Sequence, residues 1–105
     1  MKTIVLVCTA GMSTSLLVAK MKEIAAQAEL DIKLEALAQS ELKNYPKKID
    51  LILLGPQVKY LLNNLKRDYK NSNIQVEVID SLQYGSLDGK AVLNQALSLL
   101  GKKVI

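Results

Sequence analysis

An α/β fold, a single open parallel sheet of four strands with helices on both faces, is predicted by three observations on this 105-residue chain. Apolar, strand-like runs and helix-like stretches alternate four times, the pattern that parallel strands joined by right-handed crossovers produce. Half of the residues are apolar and the only aromatic ones are four tyrosines, which suits an aliphatic core. No repeat, low-complexity tract or linker interrupts the alternation, so residues 1–105 read as one domain, long enough for a single core.

The first strand is residues 3–8, where Thr3-Ile4-Val5-Leu6-Val7 runs into Cys8. Residues 13–28 form a helix with Leu17, Met21, Ile24 and Ala28 at helical spacing on one face. Residues 32–38 set Ile32, Leu34, Ala36 and Ala38 against Lys33, Glu35 and Leu37, the alternation of a more exposed, outer strand. Residues 40–45 read as a short helix that Pro46 ends. Leu51-Ile52-Leu53-Leu54 is apolar on both faces and bounded by Gly55-Pro56, hence a central strand. A helix over residues 58–70 follows, with Val58, Leu61, Leu62, Leu65 and Tyr69 inward. Residues 75–79 make the fourth strand, and a loop over residues 80–86 leads to a last helix, 88–101, that turns Val92, Ala96, Leu99 and Leu100 inward.

Charge and composition exclude several functions. Fourteen Lys and Arg against ten Asp and Glu give +4, spread along the chain; the interior pairs Lys47-Lys48 and Lys66-Arg67 read as solvated faces. With so few aromatic rings there is no stacking platform for single-stranded nucleic acid, and no nucleic-acid partner is expected. No run approaches the ~20 apolar residues of a membrane span, so any membrane contact passes through a partner protein. The apolar start is shorter than the roughly 7–15 residues of a signal core, and bulky Val7 precedes Cys8, so it reads as a strand and not a leader. One cysteine forms no internal disulfide and fits a reducing cytoplasm. The chain has no histidine, which excludes Ser-His-Asp and Cys-His mechanisms within it and the common histidine metal sites. No metal or cofactor is expected, and a phosphohistidine in the mechanism would come from another protein.

Cys8 ends the first strand and opens the loop Cys8-Thr9-Ala10-Gly11-Met12-Ser13-Thr14-Ser15, which leads into a helix. A helix N-terminus presents unpaired N–H groups and positive potential, which stabilise a thiolate and any dianion beside it. The thiolate is the nucleophilic form of cysteine. Gly11 frees the loop to curl, and Thr9, Ser13, Thr14 and Ser15 line it with hydroxyls, so the segment points to covalent chemistry on phosphate. The competing readings are a small buried cysteine and hydroxyls that cap the helix; capping and phosphate binding are compatible. Met12, an apolar side chain in a polar loop, reads as a docking contact or as core. In parallel sheets ligands bind beyond the carboxyl ends of the strands. That edge gathers the Cys8 loop, Gly55-Pro56-Gln57 and residues 80–84.

The cysteine loop, together with Leu53-Leu54-Gly55-Pro56-Gln57-Val58 and Val78-Ile79-Asp80-Ser81-Leu82-Gln83-Tyr84-Gly85, resembles the IIB component of the lactose/cellobiose/chitobiose group of the bacterial phosphoenolpyruvate-dependent sugar phosphotransferase system. The resemblance runs essentially end to end. It implies the strand order 2-1-3-4 and a cytoplasmic transferase in which Cys8 is a phosphocysteine intermediate, held in the loop formed by Thr9, Ala10, Gly11, Met12, Ser13, Thr14 and Ser15. Cys8 would accept the phosphoryl group from a histidine of component IIA. It would pass the group to a sugar, a β-linked disaccharide such as cellobiose, chitobiose or lactose, during uptake through membrane component IIC.

The loop also resembles the phosphate loop of low-molecular-weight protein tyrosine phosphatases, where an arginine stands six positions after the cysteine and a hydroxyl residue follows it. Here Thr14 takes the arginine's place and Ser15 keeps the hydroxyl. Without the bidentate guanidinium clamp the loop is poorly equipped for hydrolysis. The alternatives are a small phosphatase-like hydrolase or arsenate reductase, for which no resolving thiol exists, and a regulatory α/β module whose Cys8 is not catalytic. Ala10-Gly11 is too little glycine for a dinucleotide fingerprint and lacks a Walker lysine. Asp80 and Tyr84 carry two readings each. On the phosphatase analogy Asp80 protonates a leaving group and Tyr84 hydrogen-bonds the phosphoryl group; otherwise Asp80 caps its loop and Tyr84 packs over it.

Overall fold

A strand hydrophobic on both faces must be covered on both, and the two strands of that kind lie in the middle of the sheet. The computed structural model describes residues 1–8 and 12–105, with the side chains of Met12 and Ser13 left aside. Along the chain run β1 (Lys2–Cys8), α1 (Met12–Gln27), β2 (Ile32–Ala38), α2 (Gln39–Leu42), β3 (Leu51–Leu54), a 3-10 segment (Pro56–Leu61), α3 (Leu62–Asp68), β4 (Gln75–Val78), α4 (Ser81–Gly85) and α5 (Gly89–Leu99). The strands are all parallel in the order β2-β1-β3-β4, as the resemblance implied, and the alternating strand is an outer one.

Alternate residues of the central strands point to opposite faces. Ile4, Leu6, Leu51 and Leu53 pack under α1 and α5, against Leu17, Val18, Met21, Val92, Leu93 and Ala96. Val5, Val7, Ile52 and Leu54 pack on the other face against Leu42, Val58, Leu61 and Leu65. Each fully buried aliphatic side chain contributes about 1.5–3 kcal/mol, so truncating Leu6 or Leu53 to alanine costs about 2–5 kcal/mol.

Several boundaries and faces depart from the sequence expectation. The inward face of α1 is Leu17, Val18, Met21 and Ala25, while Ile24 is half-buried and Ala28 is exposed. Ala28 lies past the helix, where the Leu30 N–H bonds the Ala25 carbonyl at 2.9 Å, the Glu29 N–H bonds that of Ala26 at 3.1 Å, and Glu29 takes φ 55°. This is a left-handed helix stop with glutamate in the position that favours glycine. The helix expected over residues 40–45 is shorter, Gln39–Leu42. The helix expected from residue 58 begins at Pro56, whose fixed φ suits a first helical position, and winds as 3-10 before becoming α3. In α5 the inward residues are Val92, Leu93, Ala96 and Leu97, with Leu99 and Leu100 only partly buried. The loop expected over residues 80–86 contains α4. Asp80 starts it by accepting two backbone N–H groups, and Leu87, at φ 53°, ends it with its side chain against the core.

Candidate functional site

The carboxyl edge of the sheet brings together the three segments that the sequence placed there. β1 delivers Cys8, 8% exposed, with Ala38 of β2 opposite it in register. On its other side the Gly55 N–H donates to the Val7 carbonyl at 2.9 Å as the chain leaves β3. A Cβ on Gly55 would lie 3.6 Å from the Cys8 Cβ and 2.9 Å from Gln57 Oε1. The missing side chain therefore lets Gln57 fold back over Gly55, beside the cysteine.

From the opposite direction come the first turn of α1 and the whole of α4. Thr14 is 2% exposed and Tyr84 5%, and their hydroxyl oxygens lie 2.7 Å apart. Ser15 and Leu16 face outward from α1. At the head of α4 the Asp80 Oδ1 accepts the N–H groups of Leu82 and Gln83, both at 3.0 Å. The Ile79 N–H continues the sheet pairing to the Leu54 carbonyl at 2.9 Å. Gln95 of α5 braces the same turn, with Nε2 donating to the Val78 carbonyl and Oε1 accepting the Asp80 N–H. Gln95 escaped the sequence reading; its only signal is a polar residue beside Ala96 on a helix whose inner face is otherwise apolar.

Thr9, Ala10 and Gly11, and the side chains of Met12 and Ser13, lie outside the described residues. Of the expected loop, Cys8, Thr14 and Ser15 are therefore the side chains whose places are known.

No cation stands among Cys8, Thr14, Ser15, Gln57, Asp80 and Tyr84. Positive charge gathers at the far edge instead, around a cavity of about 410 Å³ lined by Lys2, Lys33, Lys47, Lys48 and Asp50. There the buried Asp50 carboxylate accepts the Thr3 N–H at 2.8 Å and lies 3.8 Å from Lys2 and 3.9 Å from Lys48. The neighbouring Lys33 amine lowers Lys47 from the ordinary lysine value. Among the described residues the edge thus offers Cys8 the open face left by Gly55, with the paired hydroxyls of Thr14 and Tyr84 joining α1 to α4. Among the described residues no helix is long and apolar enough to cross a membrane.

Residues 3–95 match the family described as the lactose/cellobiose-specific IIB subunit of the PTS system. The chain is 47% identical over 100 residues to the oligo-beta-mannoside-specific EIIB component of Bacillus subtilis (strain 168), covering 95% of this chain and 97% of that one. It is 36% identical over 104 residues to the cellobiose-specific EIIB component of Lactococcus lactis subsp. lactis (strain IL1403), covering 94% and 96%. Its fold superposes on the solution structure of the cellobiose-specific IIB protein of Borrelia burgdorferi with a TM-score of 0.76 at 32% identity, over 99% and 96% of the two chains.

Proposed function

Because the chain belongs to the lactose/cellobiose-specific IIB subunits of the PTS system, phosphotransferases that work through a cysteine, we propose that Cys8 is its phosphoryl carrier. The observation that carries the assignment is positional: the only cysteine of the chain stands at the carboxyl end of a central strand, four positions before the start of the helix whose first turn is tied to α4. Residues 9–15 would cradle the phosphoryl group with backbone N–H groups and hydroxyls, in the manner of a phosphatase loop without its arginine.

In the first half-reaction the Cys8 thiolate attacks the phosphorus of a phosphohistidine on IIA. The S–P bond forms as the N–P bond breaks, and the imidazole leaves as the neutral ring once its nitrogen is protonated. In the second, a sugar hydroxyl attacks the same phosphorus within the IIC complex. The O–P bond forms, the S–P bond breaks, and the thiolate is restored, while the hydroxyl proton passes to a base in the complex with IIC. Relatives bear the names of oligo-beta-mannoside and cellobiose systems, which supports a β-linked disaccharide as the final acceptor, and another at the same 36% identity as the cellobiose one bears that of a galactose system, so a galactose-type sugar is the second reading.

Intact-mass analysis after incubation with phosphoenolpyruvate, the general phosphotransferase proteins and a cognate IIA tests the assignment. One phosphoryl group is expected on the parent chain and none on Cys8→Ala. A phosphorylated Cys8→Ala, or an unmodified parent beside a competent IIA, rejects it.

A further inference from the structure

A phenylalanine would fill the core position of Tyr84 as well as tyrosine does, and a valine has nearly the shape of Thr14, so packing alone asks for neither hydroxyl. Both are present, both residues are almost fully buried, and the two oxygens meet at 2.7 Å across 70 positions of sequence. Among the described residues this is the only side-chain hydrogen bond that joins α1 to another element. One partner is fixed: α4 is capped by Asp80, braced through Gln95 and closed by Leu87 against the core. The other, Thr14, sits in the first turn of α1, where helix N–H groups have no partner inside the helix.

We propose that Tyr84 is a positioning residue for phosphoryl transfer: its hydroxyl fixes the Thr14 side chain, and through it the first turn of α1, in the geometry that the phosphoryl group on Cys8 requires. The inference rests on the carrier reading of Cys8. A hydroxyl carries one proton and two lone pairs. With Tyr84 donating, Thr14 keeps its own proton as a donor to a phosphoryl oxygen, while Tyr84 itself stays in the core and out of the substrate's reach. On this view Tyr84 acts through Thr14 and not on the phosphoryl group directly.

The test measures initial rates of phosphoryl acceptance against the concentration of phosphorylated IIA, per folded protein, for the parent, Tyr84→Phe, Thr14→Val, Thr14→Ser and the double variant Tyr84→Phe/Thr14→Val. Tyr84→Phe and Thr14→Val are each expected to lower kcat about ten- to a hundredfold, the scale of a small misplacement of reacting groups, with KM for IIA within about twofold of the parent. The double variant should be no slower than the slower single one, and Thr14→Ser should keep most of the parent rate. A Tyr84→Phe protein as fast as the parent, or a double variant whose loss is the product of the two single losses, overturns the inference while the carrier reading stands. If Tyr84→Phe does not fold, Thr14→Val against Thr14→Ser decides, and equal rates overturn it. A parent chain that a competent IIA fails to phosphorylate overturns the carrier reading, and this inference with it.

Discussion

Gln95 holds Asp80 from behind: its Oε1 accepts the Asp80 N–H at 3.4 Å while its Nε2 donates to the Val78 carbonyl at 3.0 Å. The sheet ladder ends at this point, and backbone groups that leave a ladder need other partners. A side chain of α5 supplies them, so the turn that aims α4 at the cysteine edge is set by the helix behind it.

Asp80 is therefore expected to act as a helix cap. Asp80→Ala should cost about 1 kcal/mol of stability, the usual loss for a cap, and Asp80→Asn much less, since asparagine caps nearly as well. Phosphoryl acceptance separates capping from proton donation. Asp80→Asn should transfer at close to the parent rate, and a large loss of rate in a stably folded Asp80→Asn would return the carboxyl group to the chemistry.

Gly55→Ala should fold, because the nearest obstacle to the new Cβ is the free end of Gln57, 2.9 Å away, and not backbone. The methyl group would push Gln57 aside and stand 3.6 Å from the Cys8 Cβ. Acceptance of phosphate and alkylation of Cys8 should both slow at nearly unchanged Tm. Equal rates would mean that the cysteine needs no open space on this side.

Leu82 is 82% exposed on α4 and Leu16 52% exposed on α1, two apolar side chains on the elements that flank the cysteine. Exposed apolar groups at the centre of a docking surface contribute through burial. Leu82→Asp and Leu16→Asp are expected to raise KM for IIA about tenfold or more, whereas Val104→Asp in the C-terminal tail should leave it unchanged. Parent-like KM values in both α1 and α4 variants would remove this surface from docking.

Glu29 adopts φ 55° on an exposed turn, a conformation that costs an L-residue about 1–2 kcal/mol. Glu29→Gly relieves it, and after the added chain entropy of glycine a gain of up to about 1 kcal/mol is expected in denaturant unfolding. Leu87→Gly should instead destabilise, because its side chain packs on the core.

What the sequence disclosed follows from range. Burial of the first and third strands was legible because Val5, Leu6, Ile52 and Leu53 are apolar in succession, whereas the order that makes both of them central came with the family resemblance. Cys8 was legible because it is unique and stands at a strand-to-helix junction. α4 was not, since five residues are too few to show a helical period, and only the Asp80 cap betrays it. Ala28 was misassigned because periodicity does not register a stop made by the backbone of Glu29. The pairing of Thr14 with Tyr84 is fixed only when α1 and α4 pack, and no local pattern encodes it.

That pairing also decides how the carrier is told from a hydrolase. A phosphatase loop would need a guanidinium at the position of Thr14, and an arginine serving a transferring phosphoryl group contributes about 10³–10⁵ in rate in the nucleotide hydrolases. Thr14 has no charge, and it is 2% exposed with its hydroxyl on Tyr84. Thr14→Arg would drive the longer side chain into Tyr84, so the informative experiment uses the parent chain. Its phosphocysteine is expected to persist in water and to discharge when IIC and its sugar are added, and p-nitrophenyl phosphate should turn over no faster than with Cys8→Ala. Rapid turnover that depends on Cys8 would mean that backbone N–H groups alone stabilise attack by water at this loop, and the chain would then be a hydrolase in spite of its missing arginine.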